Sequence, residues 1–134
     1  MTKYISLLKK SSLKATIQRA KILKSIDKAG HINIDGIYQD IKKSYPKLSL
    51  ATIYKNIILM VEEQLIVEVP ISGERPKYEL SRGEHIHLIC KSCKEIEDIE
   101  LTIERKRLLK IEEFDIEEAQ INLYGVCKRC QSQR

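Results

Sequence analysis

Two C-x-x-C pairs constrain the fold of this chain more than any other feature. Cys90 and Cys93 form the first pair and Cys127 and Cys130 form the second, and these are all the cysteines of the chain. Four sulfur ligands suit a tetrahedral Zn²⁺ ion and leave no protein ligand position open. The pairs therefore predict a structural zinc site, which would tie the end of the chain to the start of a small lobe. A redox-active dithiol pair and buried cysteines without a ligand are the alternatives.

The surrounding sequence favours metal binding over disulfides. Residues 1–20 contain no apolar run long enough for a signal peptide. The longest strongly apolar run, residues 57–61, is far shorter than the roughly 20 residues of a membrane span. We therefore expect a cytoplasmic protein that does not bind membranes, and a reducing cytoplasm keeps thiols available for zinc.

Histidines indicate a second metal centre. His85 and His87 lie on a predicted strand at residues 85–90, where alternate side chains share a face. Three further potential ligands lie on neighbouring predicted elements or at their ends: His31, Glu79 and Asp98. From spacing alone, a metal site and a pair of surface histidines remain equally open.

Positive charge is concentrated in the N-terminal part of the chain. Residues 1–60 carry twelve Lys or Arg against three Asp, whereas residues 81–134 carry ten against eleven acidic residues. This asymmetry predicts a polyanionic partner, nucleic acid before membrane. A solvated lysine-rich surface is the alternative on charge alone.

The first 80 residues have the pattern of a winged helix-turn-helix. Three helices are predicted after capping side chains: from Thr16 to about Lys28, from Asn33 to before Pro46, and from Ser49 to about Leu65. Alternating strands at 66–71 and 77–80 follow, joined by a turn. The third helix has a predicted buried stripe of Leu50, Ile53, Ile57, Met60 and Val61. Its outward side chains, Ala51, Thr52, Lys55 and Asn56, suit base edges and phosphates of double-stranded DNA.

From residue 81 the pattern changes to a small α/β lobe. Strands are predicted at 85–90, 95–101 and 117–124, with a helix at 102–113. A lobe of this size has little core of its own, which predicts dimerisation.

The chain resembles the ferric uptake regulator superfamily of bacterial metal-dependent repressors. The matching stretches are residues 13–19, 35–38, 49–56, 85–93 and 123–130. The resemblance implies an α+β fold, with a winged-helix DNA-binding domain at 1–80 and a dimerisation and zinc-binding domain at 81–134. It also implies a homodimer on a palindromic DNA operator.

The resemblance also assigns residue roles. The implied DNA contacts are Arg19, Ala51, Thr52, Tyr54 and Lys55. The implied regulatory Fe²⁺ or Mn²⁺ ligands are His31, Glu79, His85, His87 and Asp98. Since these ligands come from both domains, metal binding would close the hinge between them and set the DNA-binding heads at operator spacing.

Within the superfamily, Asp98 favours the peroxide-sensing branch, because iron regulators typically have Glu at that position. Ile86 and Ala119 stand where iron regulators often carry ligands of another site, and neither can ligate. Two residues depart from the pattern: Glu79 stands where peroxide sensors usually have Asp, and Ile17 where the family usually has Pro.

The predicted function is a repressor that senses peroxide through iron-catalysed oxidation of His31 or His85. The alternative is an iron or zinc uptake repressor that responds to metal supply, and a cysteine-based redox switch is a further alternative. We expect no enzymatic activity, because H-E-x-x-H and the paired H-x-E and P-C-x-x-C motifs are absent from the sequence.

Overall fold

The chain divides into two compact units, an N-terminal unit of Met1–Ser81 and a C-terminal unit of Arg82–Arg134. The computed structural model describes residues 1–83, 85–100 and 111–133. The mixed helix and strand content confirms the predicted α+β fold. Within the described ranges, no helix has the length and apolar character that crossing a membrane requires.

Four helices and a small sheet make up the N-terminal unit. The helices are α1 (Thr2–Lys9), α2 (Ile17–Ala29), α3 (Ile34–Lys42) and α4 (Leu50–Glu62), and the strands are β1 (Ile32–Asn33), β2 (Ile66–Val69) and β3 (Lys77–Leu80). The sheet order is β1-β3-β2, with both pairs antiparallel. The β2–β3 hairpin after α4 is the wing, so the predicted winged helix-turn-helix is confirmed.

Side-chain caps begin three of these helices at the predicted residues. Thr16 Oγ1 accepts a hydrogen bond from the backbone N–H of Arg19 at 3.2 Å. The side chains of Asn33 and Ser49 accept equivalent bonds at the starts of α3 and α4. Such caps satisfy backbone donors that have no partner inside the helix.

Helix α4 ends at Glu62, earlier than the predicted end near Leu65. Gln64 has a φ of 60°, and the Leu65 N–H donates back to the Met60 carbonyl at 2.9 Å. This pattern closes helices through a left-handed residue, usually glycine. Because the residue here is glutamine and not glycine, the sequence does not show where the helix ends.

The core of the N-terminal unit forms between its helices. Ile53, Ile57 and Met60 of α4 are fully buried, as predicted. Leu50 is instead 36% exposed, so its place in the buried stripe was wrong. Helical side chains lean toward the N-terminus, and Leu50, the first residue of α4, therefore leans past the edge of the core.

The C-terminal unit contains a second three-stranded sheet. Its elements are β4 (His85–Cys90), β5 (Ile96–Glu100), β6 (Ile121–Gly125) and the short helix α5 (Lys128–Gln131). The order is β5-β4-β6, with β5 antiparallel and β6 parallel to the central β4.

Two predicted boundaries in this unit differ from the structure. The strand predicted at 117–124 begins at Ile121, whose partner is Ile86 near the start of β4. In this parallel register, residues 117–119 lie beyond the N-terminal end of β4. Residues 102–110 of the predicted helix lie outside the described residues, and residues 111–113 are not helical.

Candidate metal centres and nucleic-acid interface

The four cysteines converge at one end of the C-terminal sheet. Cys90 ends β4, Cys93 lies on the turn after it, Cys127 caps α5 and Cys130 lies inside α5. Their sulfur atoms all lie within 4.8 Å of one another, and the Cys93 and Cys127 sulfurs are 3.9 Å apart. A zinc ion with Zn–S bonds of about 2.3 Å holds tetrahedral sulfurs about 3.8 Å apart. The arrangement therefore fits structural zinc.

Backbone amides prepare one of these sulfurs for metal binding. The N–H groups of Cys127 and Cys93 donate to the Cys90 sulfur at 3.4 and 3.5 Å. These bonds, that of Cys127 first, lower the pKa of the Cys90 thiol to about 5. A hydrogen bond to Cys127 is the main cause that raises the pKa of the Cys130 thiol to about 12. These amide bonds favour the thiolate form of Cys90, the form in which cysteine binds zinc.

A second donor set lies on the sheet of the C-terminal unit. The Nε2 atoms of His85 and His87 are 2.9 Å apart. Strand register places Asp98 opposite His87, and the Asp98 Oδ1 atom lies 3.8 Å from both Nε2 atoms. Asp98 also forms an ion pair with Arg82 through its other oxygen. Two imidazole nitrogens and a carboxylate oxygen therefore share one small space, as the alternating strand pattern predicts.

The N-terminal unit carries a histidine–carboxylate pair of its own, with His31 half-buried and Glu79 buried. His31 follows α2, and Glu79 lies on β3 with 2% of its surface exposed. The His31 Nε2 and Glu79 Oε2 atoms are 2.8 Å apart. Nitrogen and carboxylate donors of this kind suit Fe²⁺ or Mn²⁺ better than the soft thiolates of the cysteine site do.

The predicted DNA-reading residues on α4 divide into two groups. Ala51, Thr52 and Lys55 are exposed, and Tyr54 is 50% exposed despite its place at the edge of the buried stripe on a helical wheel. Asn56, the fifth predicted contact on α4, is half-buried and hydrogen-bonded within the protein.

Arg19 and Asn56 bind each other. The Arg19 Nε donates to the Asn56 Oδ1 at 3.0 Å, and a second guanidinium nitrogen donates to the Lys14 carbonyl at 2.8 Å. The Asn56 amide donates in turn to the Thr52 carbonyl at 3.0 Å. These bonds join the segment before α2 to α4, a connection that no local sequence pattern predicts.

Comparison with known proteins identifies the family. The model of the ferric uptake regulator family matches residues 10–124. The chain belongs to the ferric uptake regulator family. The peroxide-responsive repressor PerR of Staphylococcus aureus (strain Mu50 / ATCC 700699) is 30% identical over 131 residues, which cover 95% of this chain and 88% of that protein.

Solved structures of related regulators share the fold. The Campylobacter jejuni peroxide stress regulator is 37% identical, with a TM-score of 0.77 over 94% of this chain and 98% of that chain. The Pseudomonas aeruginosa ferric uptake regulator, solved with manganese, is 28% identical, with a TM-score of 0.76 over 92% and 96% of the two chains. The chain is thus a metal-responsive regulator of this family, with an N-terminal DNA-binding domain and a C-terminal dimerisation domain.

Proposed function

We propose that this protein is a metal-dependent repressor that senses peroxide through oxidation of a ligand histidine. The observation that carries the proposal is the convergence of His85, His87 and the short Asp98 side chain on one sheet face. Similarity to the Campylobacter jejuni peroxide stress regulator and the Staphylococcus aureus peroxide-responsive repressor supports the same branch of the family.

The proposed regulatory ligands come from both units. His85, His87 and Asp98 belong to the C-terminal unit, and His31 and Glu79 belong to the N-terminal unit. Each set combines nitrogen and carboxylate donors, which suit Fe²⁺ or Mn²⁺. Because a single ion would take ligands from both units, its binding would be coupled to the placement of the DNA-reading helices. The separate cysteine site would hold zinc in either state.

The sensing step would be an oxidation of the chain itself. Bound Fe²⁺ would supply the redox chemistry that activates peroxide. One oxygen atom of peroxide would be added to a ring carbon of His31 or His85, and the other would leave as water. The oxidised ring is a poorer base than imidazole, so the metal ligand is lost and DNA affinity falls. With Mn²⁺ the same residues would bind metal and support repression without this reaction.

The proposed partners are a second copy of the chain and a palindromic DNA operator. The net charge of residues 1–60 and the exposed Thr52, Tyr54 and Lys55 on α4 support binding of duplex DNA by the N-terminal unit. A DNA partner in turn implies a cytoplasmic protein.

Metal-dependent DNA binding tests this proposal. A duplex is first selected from a randomised library with the Mn²⁺-loaded protein, and its binding is then measured by fluorescence anisotropy. We expect binding that requires Mn²⁺ or Fe²⁺, and that brief peroxide treatment abolishes only in the Fe²⁺ form. If peroxide weakens the Mn²⁺ and Fe²⁺ complexes equally, the histidine mechanism is wrong.

Glu79 favours a second candidate function. The resemblance places Glu79 where peroxide sensors usually have Asp, as in repressors that respond to iron supply. Such a repressor would bind the selected duplex in proportion to free metal. It would also keep this affinity after a low dose of peroxide in the Fe²⁺ form.

A further inference from the structure

Asn122 contacts a proposed metal ligand without belonging to the donor set. Asn122 lies on β6, and the parallel register places it directly beside His87 of β4. Its Oδ1 atom is 2.8 Å from the His87 Nδ1 atom. His87 is 2% exposed and Asn122 is half-buried.

A second contact favours one orientation of the Asn122 amide. Its Nδ2 donates to the Gln120 Oε1 at 3.0 Å, which leaves the Oδ1 facing His87. An amide oxygen can only accept a hydrogen bond, so the His87 Nδ1 must carry the proton. In the neutral ring, the His87 Nε2 is then unprotonated and keeps its lone pair.

His85 is also protonated at Nδ1, in this case because of a different acceptor. Its Nδ1 lies 2.9 Å from the Gly83 carbonyl oxygen, which also can only accept. In a neutral ring its Nε2 would then keep a lone pair, 2.9 Å from the His87 Nε2 atom. Two neutral rings in these tautomers would bring two lone pairs together, an arrangement that a shared proton or a shared metal ion stabilises. Two nitrogen ligands that bind one metal ion at right angles, with bonds of about 2.1 Å, lie about 3.0 Å apart. This distance matches the separation of the two Nε2 atoms.

We propose that Asn122 is a positioning residue that holds His87 in the tautomer and ring orientation required for metal binding. This inference rests on the proposed function of His87 as a regulatory ligand. Partners that orient a ligand histidine typically contribute roughly 10- to 100-fold to metal affinity. The neutral amide fixes the ring without adding negative charge to the site.

The first test reads the tautomer directly in the full-length, zinc-loaded protein without regulatory metal. Long-range ¹H–¹⁵N NMR spectra of the ¹⁵N-histidine-labelled protein distinguish a ring protonated at Nδ1 from one protonated at Nε2. We expect His87 in the Nδ1–H form in the wild type and in Asn122→Asp, which keeps an oxygen acceptor. Asn122→Leu, which removes the acceptor, should show a mixture of the two forms.

The second test measures Mn²⁺ affinity by calorimetry on the same proteins. Asn122→Leu should weaken binding roughly 10- to 100-fold, whereas Asn122→Asp should bind at least as tightly as the wild type. The matched control Gln39→Leu makes the same amide-to-leucine change at an exposed position of α3 and should change neither readout. Zinc content and thermal unfolding verify that each variant is folded.

Two outcomes would overturn the inference. One is an Asn122→Leu protein with the wild-type tautomer and the wild-type Mn²⁺ affinity. The other is an Asn122→Asp protein as impaired as Asn122→Leu, because Asp keeps the oxygen acceptor and that result would mean that the acceptor is not what Asn122 contributes. If the wild type binds no Mn²⁺, the proposed regulatory site fails, and the tautomer measurement still decides the role of Asn122.

Discussion

At the scale of single residues, chemistry divides the described ligand side chains into two classes. The sulfurs lie together beside backbone amides that stabilise a thiolate. The imidazoles and carboxylates lie elsewhere, as His85, His87 and Asp98 in one unit and as His31 and Glu79 in the other. Soft and hard metals can therefore be retained by separate parts of the same chain.

Cys93→Ser should remove zinc and weaken the dimer. Cys93 supplies one of the four sulfurs, and structural zinc contributes on the order of 10 kcal/mol to the folding of small domains. Zinc content by atomic absorption and oligomeric state by analytical ultracentrifugation check this prediction. A stable dimer without zinc would show that the cysteines do not hold the C-terminal unit together.

His87→Ala should separate the two metal centres. His87 lies in the nitrogen and carboxylate donor set and makes no contact with the cysteine sulfurs among the described interactions. We expect normal zinc content and folding, with loss of Mn²⁺-dependent binding to the selected duplex. Unchanged DNA binding would exclude the histidine cluster from regulation.

At the scale of secondary structure elements, α4 is both a core helix and the proposed reading helix. Its buried face carries Ile57, with no exposed surface, and its outer face carries Ile58, which is 41% exposed. Ile57 and Ile58 are identical side chains at adjacent positions, so substituting each in turn compares the buried face of α4 with its exposed face.

Ile57→Ala should destabilise the protein by about 2–5 kcal/mol, because the lost side chain leaves a cavity in the core. Ile58→Ala is the matched control and should have a much smaller effect. Chemical denaturation followed by circular dichroism measures both free energies of unfolding. Equal losses for the two variants would contradict the described packing of α4.

The contacts of Arg19 predict that it acts on DNA through Lys14. Lys14 is exposed, and its carbonyl accepts from the guanidinium that also binds Asn56 of α4. If Lys14 contacts a phosphate, Lys14→Gln should reduce the magnitude of the salt slope of log K by about one. Arg19→Ala should cause a similar reduction by releasing Lys14.

The double variant decides between positioning and direct contact. Arg19→Ala should add little to Lys14→Gln if Arg19 only holds the segment in place. Additive reductions in the salt slope would mean that Arg19 contacts a phosphate itself. The exposed Lys9 of α1 provides a control, since Lys9→Gln should leave the slope close to that of the wild type.

Sequence patterns predicted the types and order of these elements better than their ends. Caps at Thr16, Asn33 and Ser49 are local, so the sequence shows them directly. The end of α4 depends on a left-handed Gln64, and the start of β6 depends on where its partner β4 begins. Both are set by contacts that periodicity does not encode.

At the scale of the whole molecule, motif spacing indicated the cysteine set and the pair of histidines, the resemblance supplied the other proposed ligands, and neither predicted what supports them. H-x-H on a strand and paired C-x-x-C motifs fix which side chains share a face or a turn. The contacts of Asn122 with His87 and of Arg19 with Asn56 join residues far apart in the chain, through strand register and helix packing. Such contacts become visible only when the units are folded.

Histidine oxidation most directly tests the proposed sensing mechanism. Fe²⁺-loaded protein receives a brief, low dose of peroxide and is analysed by peptide mass spectrometry, with Mn²⁺-loaded protein as the control. We expect one added oxygen atom on the peptide containing His31 or His85, only with Fe²⁺ and with all four cysteines intact. Unmodified histidines in a protein that still binds DNA in a metal-dependent way would contradict peroxide sensing, and oxidised cysteines with loss of zinc would identify a thiol switch instead.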